Sequence, residues 1–175
     1  SAVINGVLRA TALDGYKGGK IDLSGKNVSV QAKAVALSAG FDFSTPVPDK
    51  LKGIFNLTAS GLSGQGLQEI KLGDQNLTDN VTIMKRSVLE SQVISLSANN
   101  TITIESGAQL QAIAKTGFAE INLNSPAGTA VIREGALLQA SHAIINFNVG
   151  NQDIQGDLKV DYSALTLKGD NIFFV

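Results

Sequence analysis

The sequence predicts an all-β fold, a β-solenoid in which each turn of chain stacks on the one before, and three observations carry that prediction. The first is a phrase written twice: Gly107-Ala108-Gln109-Leu110-Gln111-Ala112 returns as Gly135-Ala136-Leu137-Leu138-Gln139-Ala140, 28 residues on, with five of six positions identical. The second is strict alternation of apolar and polar residues in short runs such as Ile94-Ser95-Leu96 and Ile121-Asn122-Leu123, displaced by 27. A period in the twenties built from such runs marks stacked β-turns of chain rather than helical repeats. The third is composition. Of 175 residues, 43% are apolar but only 5% aromatic, with 18 Gly and 3 Pro, which suits a narrow aliphatic core joined by many tight turns.

Taken in order, Gly6-Val7-Leu8-Arg9-Ala10 has the shape of the later Gly-x-x-Leu-x-Ala elements and is read as strand. After the Gly18-Gly19 turn, Ile21-Asp22-Leu23 and Val28-Ser29-Val30 are two alternating strands parted by a turn carrying Gly25 and Asn27. The pattern recurs, and the second apolar position of its first strand falls at 23, 72, 96, 123, 147 and 167, in steps of 49, 24, 27, 24 and 20. The step of 49 is about two turns, so Phe41-Asp42-Phe43 is expected to supply the intervening one. Residues 44–53, with Pro46 and Pro48, are expected as a looped insertion, and the Gly- and Ser-rich stretch 60–66 as a looped insertion or a loosely packed turn.

Between Leu72 and Leu96, Asn80-Val81-Thr82-Ile83 alternates and Ser87-Val88-Leu89-Glu90-Ser91 takes the place of the duplicated phrase. Alternation continues through Ile145-Asn146-Phe147, Leu158 to Tyr162 and Leu165-Thr166-Leu167, and Ile172-Phe173-Phe174-Val175 closes the sequence in mid-pattern. With no Met or signal-peptide pattern at Ser1, the chain is read as a single segment, 1–175, of a longer repeat protein. About seven turns at about 4.8 Å each make a rod roughly 34 Å long.

Asn stands four residues beyond the second apolar position at Asn27, Asn76, Asn100, Asn151 and Asn171; after Leu123 the slot holds Ala127. Asn tolerates the positive φ a corner demands, and amides stacked at the strand spacing hydrogen-bond along the axis. These five are the expected structural ladder.

Lys plus Arg (14) and Asp plus Glu (15) nearly cancel and form no long block, which argues against a nucleic-acid groove. Absence of Cys removes disulfides and thiolate metal sites, and no apolar run is long enough to span a bilayer.

The texture of residues 18–30, Gly-Gly-Lys-Ile-Asp-Leu-Ser-Gly-Lys-Asn-Val-Ser-Val, and of Gly107 to Gln111 resembles the repeats of filamentous haemagglutinin-like exoproteins. The resemblance runs from Gly6 to Asn171 and is one of repeat style. It implies a right-handed parallel β-helix, secreted by the two-partner route to the bacterial cell surface, that serves as an adhesin or as a stalk in contact-dependent growth inhibition. Its expected partners are a host or bacterial surface receptor or glycan and the flanking repeats of the parent chain, without membrane insertion. The Asn-Pro-Asn-type signals of the family's secretion domain are missing, so recognition of an outer-membrane transporter is not carried over.

A carbohydrate-binding or carbohydrate-cleaving β-helix is the rival. Cleavage needs paired carboxylates, and calcium-assisted lysis needs several in one place. Asp14, Asp22, Asp42, Glu69, Asp74, Asp79, Glu105, Glu120 and Glu134 are instead scattered singly, with Asp74 and Asp79 the one pair flanking a turn. Saccharide bound over Asp74, Asp79 or Glu105 would favour the rival. His142 has no evident partner, so a surface or stacked role is expected. Lys85-Arg86 with Arg133 make an anion patch if adjacent turns align them, although a solvated face is the reading preferred. We therefore expect a non-catalytic protein with no cofactor and no metal.

Overall fold

Short alternating runs have one apolar face each, and the chain buries those faces by curling a parallel sheet around them. The computed structural model describes residues 1–12, 17–37, 39–42, 44–114, 117–141, 143–161, 165–168 and 171–174; at 143 and from 160 onward the backbone alone is described. The strands are β1 (Ala2–Ile4), β2 (Gly19–Leu23), β3 (Asn27–Gln31), β4 (Ile54–Thr58), β5 (Leu67–Leu72), β6 (Asn80–Ile83), β7 (Val88–Ser91) and β8 (Val93–Ser97). They continue with β9 (Thr101–Ile104), β10 (Gln109–Ile113), β11 (Ala119–Ile132), β12 (Leu137–Ser141), β13 (Ala143–Ile154), β14 (Asp157–Asp161), β15 (Leu165–Lys168) and β16 (Asn171–Phe174). All their pairings are parallel. Two 3-10 turns, Asp49–Leu51 and Ala59–Gly61, are the helical elements among the described residues.

The chain visits three faces in rotation, and this makes the fold solenoid-like. The first face stacks β2, β5, β8, the front half of β11, the front half of β13, and β15. The second stacks β1, β4, β3, β6, β9, the rear halves of β11 and β13, and β16. The third stacks β7, β10, β12 and β14.

Register follows the repeats read from the sequence. Leu23, Leu72, Leu96, Leu123, Phe147 and Leu167 form one column, each opposite the next. In the twice-written phrase Leu110 lies opposite Leu138 and Ala112 opposite Ala140, with Leu89 and Ser91 in the layer before. Because side chains alternate, a slip of one residue would turn each of these columns outward, so burial of one face fixes the register. The core is one continuous aliphatic cluster in which Ile70, Ile94, Ile121 and Ile145 of the first face meet Ile83, Ile104 and Ile132 of the second and Leu89, Leu110 and Leu138 of the third.

One departure from simple stacking sits near the N-terminus. Leu23 pairs directly with Leu72, so the expected extra layer at Phe41-Asp42-Phe43 is not in the first face. The stretch between β3 and β4 carries no strand among its described residues, and Phe43 lies outside them. This excursion, residues 32–53, returns the chain to the second face one layer behind its departure, so that β4 pairs with both β1 and β3. The step of 49 is therefore one layer plus a detour.

Residues 44–53 belong to that detour and anchor it by Leu51, which is buried. Residues 60–66 pack as a layer of the third face. Leu62 is buried, Ser63 Oγ donates to the Val88 carbonyl at 2.7 Å and accepts from the Glu90 N–H at 2.9 Å, and the Gln65 carbonyl accepts from the Ala10 N–H.

Candidate functional site

Outward positions on parallel strands repeat at the strand spacing, so like side chains reach one another along the axis. The second-face column that opens each strand reads Ile54, Asn27, Asn80, Thr101, Thr129, Asn151, Asn171. It contains Asn27, Asn151 and Asn171 of the five asparagines expected to stack. Asn80 Nδ2 donates to Asn27 Oδ1 at 2.9 Å, and Asn27 Nδ2 donates to the Gly53 carbonyl at 3.3 Å.

Asn76 and Asn100 lie off the column because their corners are longer. From the second apolar position to the column residue the chain takes four residues at Leu23, Phe147 and Leu167, but eight at Leu72 and five at Leu96. Asn76 sits inside its turn, its N–H on Asp74 Oδ1 at 2.8 Å. Asn100 receives the Thr129 N–H on its carbonyl at 2.7 Å.

Amide ladders also form on the first face, at positions passed over because they are the polar letters of Ile-x-Leu runs. Asn146 Nδ2 donates to Asn122 Oδ1 at 2.8 Å, and Asn148 Nδ2 donates to Asn124 Oδ1 at 2.6 Å. Asn124 Nδ2 in turn donates to Gln75 Oε1 at 2.9 Å. Toward the N-terminal layers the same column becomes ionic: Lys71 Nζ lies 2.7 Å from Asp22 Oδ2. The hydrogen bond to Asp22 raises the Lys71 pKa above its ordinary value, burial opposes the rise, and the Asp22 charge adds to it.

The excursion turns part of the second face into a groove. Its floor is the outward row of Asn27, Ser29, Asn56, Asn80 and Thr82; its walls are residues 33–36 and 50–52, and it encloses about 790 Å³. Asn56 is buried, and Gln31 Nε2 bridges Ser29 Oγ at 2.8 Å and Asn56 Oδ1 at 3.3 Å, which holds the floor rigid. The wall is held by Asn5, whose amide acts as a piece of strand: Nδ2 donates to the Val35 carbonyl at 3.0 Å and Oδ1 accepts the Val35 N–H at 2.9 Å. Ser1 Oγ accepts the Gly53 N–H at 2.8 Å. Farther along the excursion, Asp42 accepts the N–H and hydroxyl of both Ser44 and Thr45. The Ser44 bonds chiefly, then those of Thr45, lower its pKa below the usual aspartate value.

The acidic candidates do not converge. Asp74 caps its own turn through Asn76, Asp79 lies 4.0 Å from Lys26, and Glu105 follows β9, across the width of the second face from Asp79. No group of three or more His, Asp or Glu poised to hold a metal occurs among the described residues. Asp14 and His142 lie outside them.

Arg133 does not join Lys85 and Arg86. It extends the column of Glu105, with its N–H on the Ile104 carbonyl. Lys33, brought in by the excursion, borders Lys85 and Arg86 instead. No helix among the described residues is long and apolar enough to cross a membrane. Compared with protein families, curated proteins and solved structures, the chain matches none.

Proposed function

We propose that the chain is a non-catalytic segment of a right-handed β-helix of about seven turns, acting as a stalk or adhesin piece of a filamentous haemagglutinin-like exoprotein. In this reading the parent is secreted by the two-partner route to the bacterial surface. There it presents contact regions, or an effector in contact-dependent inhibition, away from the cell, and flanking repeats continue the stack. The observation that carries the reading is the unbroken registered column from Leu23 to Leu167, which makes a stiff element whose length grows with repeat number. The repeat style of residues 18–30 and 107–111 supports the family assignment.

Its partner is a receptor or glycan on a host or bacterial surface, and the groove beneath the excursion is the region offered for contact. The test is to label intact, unpermeabilised cells making the parent protein with an antibody against residues 32–53, and to coat beads with the chain. Surface labelling and bead adhesion to cells are expected; labelling only after permeabilisation removes the assignment.

The groove favours one further reading, a carbohydrate-binding β-helix, because its floor is made of the amides and hydroxyls that hydrogen-bond sugar hydroxyls. A glycan array read with the parent chain and with Asn80→Ala tests it. Retention of one glycan class by the parent, weakened in the variant, is the expected result, and an empty array removes this reading while leaving the stalk intact.

A further inference from the structure

The corner between β6 and β7 breaks a rule kept by the two layers above it. Counting back from the paired residues Val88, Gln109 and Leu137 places Arg86, Gly107 and Gly135 at one level. All three have positive φ, 63° for Arg86 against 70° and 75° for the glycines. Glycine takes this conformation freely, whereas a residue with a Cβ is held there at a cost. Arginine is not among the types that tolerate it well. A strained position occupied by a large cation where its stacked counterparts are glycine points to a use for the side chain.

The surroundings say what the use is. Arg86, Lys85 and Lys33 border one open depression with Ala32 and with Ser106 of the next layer. The Arg86 stem lies over Gly107 of the next layer. Among the described residues no ion pair or hydrogen bond engages the side chains of Lys33, Lys85 or Arg86, whereas Lys20, Lys26, Lys52 and Lys71 each have a carboxylate. Glu105 stands beside Ser106, and Glu134 is one layer farther on. Lys33 arrives from the excursion and Lys85-Arg86 from the stack, so the detour that roofs the groove also completes the cluster.

We propose that Lys33, Lys85 and Arg86, beside Ser106, form an oxyanion site that takes a phosphate or sulfate monoester. The guanidinium supplies paired N–H donors and the two ammonium groups supply charge and further donors. The site stands independently of the stalk reading and of sugar binding in the groove.

The experiment is an amide-resolved NMR titration with inorganic phosphate and, separately, sulfate, against chloride at matched ionic strength. Saturable shifts confined to Lys33, Lys85, Arg86, Ser106 and Gly107 are expected, weakening as salt is raised. Arg86→Gly, which installs the residue of the next two layers, should fold at least as stably as the parent while binding phosphate or sulfate about tenfold more weakly. Lys33→Ala should weaken binding without changing the corner.

A phosphorylated and a sulfated monosaccharide, each compared with its uncharged parent sugar, then distinguish the two sources of the anion. The ester that saturates the site names the source, and saturation by neither overturns the proposal. It is equally overturned by shifts no larger than those with chloride, or by Arg86→Gly binding as tightly as the parent.

Discussion

Gln152 occupies an inward position of the second face, where the layer before it has Ala130 and the one before that Ile102. It is 1% exposed, and its amide nitrogen and oxygen find no hydrogen-bond partner among the described residues. An unsatisfied buried amide costs about 1–3 kcal/mol. Gln152→Leu keeps similar volume and removes the polar atoms, so thermal unfolding should rise by a few degrees, at about 2–4 °C per kcal/mol for a chain of this size; a fall in Tm would show that the amide is satisfied in solution.

Gly128 makes the opposite case. A Cβ there would lie 2.0 Å from the Asn100 carbonyl oxygen, which itself takes the Thr129 N–H. Gly128→Ala must push apart two stacked corners, and a loss of about 1–3 kcal/mol in denaturant unfolding is expected. Asp42 gives a pH dependence of known sign. Its folded pKa is depressed, so its contribution to the turn is complete above the unfolded aspartate value and disappears as pH falls through the lower folded value. Hydrogen exchange of the Ser44 and Thr45 amides should quicken across that acid window, and Asp42→Ala should abolish the change. The Gln152 and Gly128 roles were not visible in the sequence, since each depends on what stands opposite in another layer, whereas the Asp42 turn is made with its own neighbours Ser44 and Thr45.

At the scale of elements, the excursion 32–53 sets the groove and delivers Lys33, yet few side chains hold it. The principal clasp is Asn5 on Val35, with Ser1 on Gly53 and buried Leu51 beneath. Asn5→Ala removes both bonds to Val35, so protease cleavage within 32–53 should accelerate while the exchange-protected core from β5 to β12 is unchanged. Equal cleavage of parent and variant would show that the clasp does not hold the wall. Alternation and period made the stacked elements legible: the strands at Ile94, Ile121, Leu110 and Leu138 fell where their spacing put them. The detour was not legible, because a step of 49 residues is as well filled by two layers as by one layer and a loop. The Gly- and Ser-rich stretch 60–66, read as a loop or a loosely packed turn, has little side-chain pattern, and its backbone carbonyls and Ser63 make its contacts. Register sets Asn27, Asn151 and Asn171 on one column where the corner takes four residues and leaves Asn76 and Asn100 off it where the corner lengthens, since fixed offsets from a strand do not survive insertions in the turn.

Over the whole molecule, stability is a sum of contacts between neighbouring layers, because each column residue touches chiefly those above and below it. Leu96→Ala removes a fully buried side chain between Leu72 and Leu123, and about 2–5 kcal/mol of local stability should go with it. Hydrogen exchange should show the loss concentrated in β5, β8 and the front of β11, with β12 and β14 little affected; uniform loss of protection would mean that the stack unfolds as one unit. The order of layers and the order of synthesis agree along most of the chain and disagree once. β4 lies between β1 and β3 although it is made after both, and it is the strand on which β1 pairs. A chain that emerges N-terminus first therefore cannot zip this region up in the order in which it is made. Residues 2–4 wait for residues 54–58, and β3 waits with both edges bare, since its other partner β6 is made later still. Closing that 50-residue gap is slow beside the neighbour-to-neighbour growth open to later layers. β4, made after the two strands it joins, thus acts as a keystone, and closure of this region is timed by its arrival.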